Sequence, residues 1–197
     1  MMMRKAQQRV AAPLQKRVPL QKSAILDLDR ALADVFRIIS AMRKENPVAT
    51  YIKFPPLPSV FSESIVIAAA PVLFGPNWRG RFGGRVCDIL LEANDGRGEK
   101  KVEVKATGNH AFQELKAKDL RADALVWIRF GRRFEIGSGP IDVVVLDRPN
   151  RYIKDPRRLD VNRFEAIPGV KDNQVVFHFE SLEQLLDDTE SESTPSA

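Results

Sequence analysis

An α/β domain built on a mixed central β-sheet is the fold class that this sequence predicts. Three observations carry it. Residues 23–44 show apolar side chains at three- and four-residue spacing, the mark of a helix with one packing face. Two segments of alternating polarity flank Asp95-Gly96, as the arms of a hairpin would. A strongly apolar run, Ala124 to Phe130, then follows a stretch that reads as helical. Helix, hairpin, helix and strand in that order place helices against a sheet.

The elements follow in chain order. Residues 1–22 lack periodicity and carry Arg4, Lys5, Arg9, Lys16, Arg17 and Lys22 with no acid before Asp27, so they read as a flexible basic arm. They hold no apolar core of a secretory signal. Ser23 is expected to cap a helix reaching about Lys44, with Ile25, Leu28, Leu32, Phe36 and Ile39 as its packing stripe. Pro47, Pro55, Pro56 and Pro58 then impose an irregular connection. A largely buried helix is expected from Ser59 or Ser62 to near Pro71, and a loop rich in glycine and arginine from Gly75 to Arg85. Strands are expected at about Gly84 to Glu92, Lys101 to Ala106, Ala124 to Phe130, Ile141 to Leu146 and Val175 to Phe179. Helices are expected from Asn109, as cap, to Arg121 and from Ser181 to Leu186. Residues 187–197 are acidic and rich in Ser and Thr, the composition of a disordered tail. The chain thus divides into an arm (1–22), a single domain (23–186, core about 59–147) and a tail (187–197).

Composition narrows the function. The chain has 197 residues, 44% of them hydrophobic, enough for one real core. Its one cysteine, Cys87, excludes an internal disulfide framework and a multi-cysteine zinc site. No apolar run approaches the roughly 20 residues of a membrane span, so no membrane partner and a cytoplasmic location are expected. The net charge of +5 and pI of about 9.5 suit a polyanionic partner.

The hairpin carries the chemistry. With Asp95-Gly96 at its tip, residues whose numbers add up to 191 face each other, and Asp88 meets Glu103. Cys87, Ile89, Leu91, Val102, Val104 and Ala106 then point into a core, while Asp88, Glu103 and Lys105 point the other way. A bulge at Gly98 would shift this pairing. Two facing carboxylates repel, and stability alone would not select them. A divalent cation resolves the conflict: Mg²⁺ takes a few carboxylate oxygens, keeps several waters, and acidifies one of them. Lys105, two residues beyond Glu103 on the same face, would orient the water or stabilise charge on a phosphate.

Asp88, a spacer and then Glu103-Val104-Lys105 resemble the PD-(D/E)XK nuclease superfamily, which includes many type II restriction endonucleases. Gly84-Arg85-Val86-Cys87-Asp88-Ile89 resembles its strand with the first acid, and Val102-Glu103-Val104-Lys105-Ala106-Thr107 its second strand. The resemblance covers about residues 59 to 130 and departs at Cys87, where the name-giving motif has proline. It implies a restriction-endonuclease-like core with a mixed central sheet flanked by helices, to which the N-terminal helix is added. It implies Mg²⁺ on Asp88, Glu103 and the carbonyl of Val104, with Lys105 positioning the water. Glu63, on the preceding helix, would be an auxiliary ligand; the alternative for Glu63 is an acid favoured by the helix dipole.

Around this core, Trp78, Arg79, Arg81 and Arg85 lie just before the first acidic strand, where arginines could follow a phosphate backbone. Lys116 and Lys118, on the following helix with Gln113, would add phosphate contacts or form a solvated face. His110, His178 and Cys87 read as structural, and Asp123 as a cap or a brace for the sheet. The expected function is Mg²⁺-dependent hydrolysis of phosphodiesters in double-stranded DNA by a homodimeric, sequence-specific type II restriction endonuclease. The alternatives are a structure-selective resolvase or repair nuclease of the same fold, a non-catalytic nucleic-acid-binding module, or an interaction protein using its first helix.

Overall fold

The computed structural model describes residues 17–108 and 113–191. Helix α1 (Lys22–Glu45) is followed by a 3-10 turn (Pro47–Tyr51), then by α2 (Ser59–Ala68) and α3 (Ala70–Phe74). Strands β1 (Trp78–Phe82), β2 (Ile89–Ala93) and β3 (Glu99–Gly108) form an antiparallel meander. After β4 (Gln113–Leu115) and α4 (Ala117–Leu120), strand β5 (Ala124–Gly131) runs parallel to β3. Helix α5 (Arg133–Ile136) precedes β6 (Ile141–Asp147); β7 (Arg157–Leu159), α6 (Val161–Glu165) and α7 (Val170–Asn173) lead to β8 (Gln174–Phe179) and α8 (Leu182–Ser191). The main sheet has the order β1-β2-β3-β5-β6-β8, and β4 pairs with β7 in a separate ribbon. This is an α/β fold with a mixed six-stranded central sheet, as the order of elements predicts.

Alternation along the strands divides the interior in two. Ile89, Leu91, Val102, Val104, Val126, Ile128, Val143 and Val145 pack on one face against Ile25, Phe36, Phe61, Ile65, Leu182 and Leu185 of α1, α2 and α8. Leu125, Trp127, Val144 and Leu146 pack on the other against Leu115, Leu120, Leu159, Phe164 and Val170. Residues 141–186, whose role the sequence leaves blank, thus complete the sheet, help to cover its second face through α6 and α7, and return to the first face at the start of α8.

Several boundaries differ from expectation. Helix α1 begins at Lys22 with Gln21 at its cap position and no capping side chain, so Ser23 lies inside the helix. The stripe buries Asp29 and leaves Leu28 only partly covered. Asp29 is admitted because Arg133 meets it with two nitrogens, at 3.2 and 2.6 Å. Residues 78–82 are a strand and not a loop, because they pair along the whole of β2. The helix expected from Asn109 to Arg121 shrinks to α4: β3 continues to Gly108, 113–115 pairs with β7, and Asn109 and His110 lie outside the described residues. The end of the basic arm is docked, with Leu20 N–H donating to Ser64 Oγ at 3.0 Å. Helix α8 extends through Ser191, into the expected tail, anchored by buried Leu182, Leu185 and Leu186.

The Asp29–Arg133 pair makes a clear test of packing. Asp29→Ala strands a buried guanidinium and is expected to cost about 3–5 kcal/mol of stability, read from the urea midpoint. A loss below about 1 kcal/mol would mean that Arg133 finds water or another partner.

Candidate active site

The hairpin register is the one the turn chemistry predicts. Ile89 pairs with Val102, Leu90 with Lys101 and Glu92 with Glu99, with no bulge at Gly98. The turn is wider than a two-residue loop: Ala93 N–H bonds Gly98 O, Asp95 Oδ1 accepts from Arg97 N, and Gly96 takes the positive φ of 70°. Asp95 and Gly96 remain at its centre, so the pairing sum is preserved.

Asp88 sits one residue ahead of β2, in the loop that links it to β1. Gly83 N–H donates to the Asp88 carbonyl at 2.9 Å, closing that loop. A Cβ on Gly83 would lie 2.4 Å from Cys87 Sγ and 2.6 Å from the Cys87 carbonyl oxygen, so only glycine permits the closure. The continuing register puts Asp88 across from Glu103, and its Oδ2 accepts from Val104 N–H at 2.9 Å. The carboxylate stands where the next ladder carbonyl would be.

Glu103 is 1% exposed, far more buried than an open hairpin face would leave it. The cover comes from α4. Lys118 Nζ lies 2.9 Å from Glu103 Oε2, 3.4 Å from Asp88 Oδ1 and 3.9 Å from Asp119 Oδ1. Asp119, 0% exposed, holds Lys105 Nζ at 2.8 Å and accepts from Lys116 N–H at 2.8 Å through the same Oδ2. Glu103 Oε1 and Asp119 Oδ1 are buried with no hydrogen-bond partner among the described residues. Two lysines and three carboxylates therefore interlock on the sheet face opposite α2.

The electrostatics follow from this crowding. Burial pushes the Glu103 carboxyl up to about 7; Lys118 opposes the shift, while Asp119 and Asp88 add to it. Burial also acts upward on Asp119, but the hydrogen bonds from Lys105 and Lys116 N–H hold it below the ordinary range. Burial works against the Lys118 ammonium, yet its bond to Glu103 and the charge of Asp88 raise it. Glu63 is raised by burial first and by Asp88 next.

A cavity of about 770 Å³ opens here, lined on one side by Glu63, Asp88, Val104, Lys105, Lys116 and Lys118. Phe36, Phe54, Pro55, Pro56, Leu57 and Phe134 form its apolar side. The structure thus gathers Asp88, Glu103, Lys105 and Lys118 with Glu63, Val104 and Lys116 alongside. Glu63 lies beyond the first turn of α2 and is buried, so the helix-dipole alternative does not describe it. Arg79 and Arg81 are not in the cavity wall; they sit on β1, where Arg81 Nε pairs with Glu92 at 2.7 Å. Arg85 is exposed in the loop leading to Asp88. Lys116 caps α4 and Lys118 lies within it.

Asp119 is the residue that reading the sequence misses. A local signal existed: it is the third residue of α4, reaching back to the backbone N–H of Lys116. Elsewhere, Asp123 Oδ2 accepts from Lys101 N–H at 2.8 Å and braces the sheet. His178 pairs across strands with Asp142 at 2.7 Å, which raises its pKa. Cys87 is a buried thiol that burial pushes up.

Could a divalent cation be held? Asp88 Oδ1 and Glu103 Oε2 converge on one positive charge, here the Lys118 ammonium, and Glu103 has a second oxygen unanswered. That donor set fits a cation taking two carboxylates and water. Among the described residues there is no group of three or more acids, histidines or cysteines arranged around a metal position. No family model, curated protein or solved structure matches this chain.

A pH dependence follows. Glu103 titrates near 4.5 without its surroundings and near 7 within them, so the folded state binds the extra proton between those values. The stability linked to that proton is complete below about 4.5 and is lost as pH rises through about 7. Urea midpoints are expected to fall between pH 5 and pH 7.5. Glu103→Gln is expected to flatten that slope, leaving a residue from Glu63 and His178, which are shifted the same way. Equal slopes in the two proteins would mean that Glu103 is ionised throughout.

Proposed function

We propose that this chain is a Mg²⁺-dependent endonuclease that hydrolyses DNA phosphodiester bonds. The observation that carries the reading is the convergence of Asp88 and Glu103 on a single cation position, beside an anchored Lys105, in a cavity with basic residues at its edge. Two carboxylates aimed at one point suit a divalent cation, and with it phosphate hydrolysis. Asp88 and Glu103 would hold the ion, with the Val104 carbonyl and Glu63 as further ligands, and Mg²⁺ there supplies Lewis-acid polarisation and a water of lowered pKa.

The chain's own residues do the rest. Lys105, fixed by Asp119, would direct its amino group at the entering water and the phosphoryl oxygens, where negative charge grows as the water oxygen bonds to phosphorus and the P–O bond to the leaving sugar oxygen breaks. Asp119 acts through Lys105 and is a positioning residue. Lys118 is half exposed on a four-residue helix, so its long stem has the freedom to leave the acids for a phosphate. Lys116, exposed at the cavity, adds a second phosphate contact. On the resemblance of the motif, the finer reading is a homodimeric type II restriction endonuclease acting on duplex DNA in the cytoplasm.

One observation favours a second reading. Lys118 already neutralises Asp88 and Glu103, so the cluster is electrostatically complete without a metal. A non-catalytic nucleic-acid-binding module would look like this.

Plasmid cleavage separates the two. Purified protein with Mg²⁺ is expected to cut DNA and to stop with EDTA. Asp88→Ala and Lys105→Ala are expected to lower the rate about 10²–10³-fold, and Asp119→Asn about 10–100-fold. Discrete fragments would support sequence-specific cutting; a smear would favour a structure-selective or nonspecific nuclease. DNA binding that ignores Mg²⁺, with no cleavage, would sink the nuclease reading in favour of the module.

A further inference from the structure

Helix α1 carries two apolar seams; the fold buries one, and of the second it covers only the N-terminal part, where Leu28 packs against the core. Ile25, Leu32, Phe36 and Ile39, with Asp29, face the interior. The second seam is Ala24, Leu28, Ala31, Val35, Ile38 and Met42, which recurs at alternating four- and three-residue steps. That is a heptad row, the spacing by which one helix packs along another. Ala31 is exposed, as are Val35 (42%), Ile38 (57%) and Met42 (44%). Single exposed apolar residues are ordinary, but a continuous row on one helix is a contact surface.

We infer that this row pairs with the same row of a second copy, in an antiparallel two-helix contact about a twofold axis. Such an axis matches residue i with j and j with i, so the paired numbers share one sum. A sum of 66 satisfies all six positions: Ala24 meets Met42, Leu28 meets Ile38 and Ala31 meets Val35, each in both directions. Small residues face large ones at two of the three layers, which lets the backbones approach evenly. The contact runs about 28 Å at the rise of an α-helix.

The charged edge fits the same register. Asp27, Arg30, Asp34 and Arg37 alternate along one flank of the row, and each acid is bonded to the arginine three residues on. At a sum of 66, Asp27 comes within two residues of Arg37 of the second copy, and Asp34 within two of its Arg30. Antiparallel pairing therefore sets acid against base, and this flank is neutral although the chain as a whole carries +5. A nucleic acid would meet Asp27 and Asp34 there, so a protein helix of the same sequence is the better occupant. The inference rests on α1 alone and stands whether or not the chain is a nuclease.

Sedimentation velocity of the full chain from about 1 to 100 µM, the range of a modest helix contact, tests it. A dimer is expected, and Val35→Glu with Ile38→Glu is expected to give a monomer of unchanged helicity and thermal midpoint. Should that pair disturb folding, charge variants leave the apolar row intact. Asp27→Lys with Asp34→Lys, and Arg30→Glu with Arg37→Glu, are each expected to dimerise at least about tenfold more weakly, and their equimolar mixture to recover the wild-type dimer. A wild-type monomer across the whole range, a dimer indifferent to the row, or charge variants that self-associate like wild type would each overturn the proposal.

Discussion

Side chains alternate along a strand, so a one-residue slip between β2 and β3 would exchange the two faces of the hairpin. Ile89, Leu91, Val102 and Val104 would turn toward α4, and Glu103 and Lys105 would enter the core beneath α2. The register is held at both ends. At the tip, Gly96 accepts a left-handed conformation and Asp95 bonds the Arg97 N–H. At the base, Gly83 closes on the Asp88 carbonyl, and the Asp88 side chain caps the Val104 N–H. Asp88 therefore belongs both to the candidate site and to the framework that holds it. The site exists only in the register that its own carboxylate helps to fix.

The second constraint is burial of charge. Glu103 and Asp119 are almost wholly covered, and two lysines are drawn over them. Burying charge without partners is costly, and the arrangement spreads the compensation unevenly. Asp119 receives Lys105 and a backbone N–H and stays ionised, whereas Glu103 receives Lys118 alone and is pushed toward neutrality. Neighbouring carboxylates with opposed shifts are common where chemistry is done, because each protonation state can be assigned a task. Here Glu103 is the carboxyl pushed toward neutrality and Asp119 the one held charged.

Much of this was legible in the sequence, and the gaps have physical reasons. The pairing sum across the hairpin, its inward apolar residues and the runs at 124–130 and 141–146 could be read because turn chemistry and strand alternation are local. Strand β1 could not: Trp78-Arg79-Gly80-Arg81-Phe82 has the composition of a loop and becomes a strand only by pairing with β2. Gly80 suits that place, since a Cβ there would lie 3.0 Å from the Ile67 backbone. Asp29 is absent from the stripe read in the sequence, because the partner that lets it be buried, Arg133, is 104 residues away. Asp119 was hidden for a similar reason. Its role depends on a short helix folding over β3, and no periodicity announces a helix of four residues.

The clasp between Asp29 and Arg133 has a mechanical consequence. It ties α1 to α5, and those two elements supply Phe36 and Phe134, whose rings lie 5.1 Å apart in the cavity wall. The cavity wall and the outward row of α1 are thus neighbouring faces of one helix, clamped near its first third. Whatever packs on the outer flank of α1 therefore lies one helix away from the aromatic wall. The cavity is walled in part by a helix whose other flank lies open to solvent.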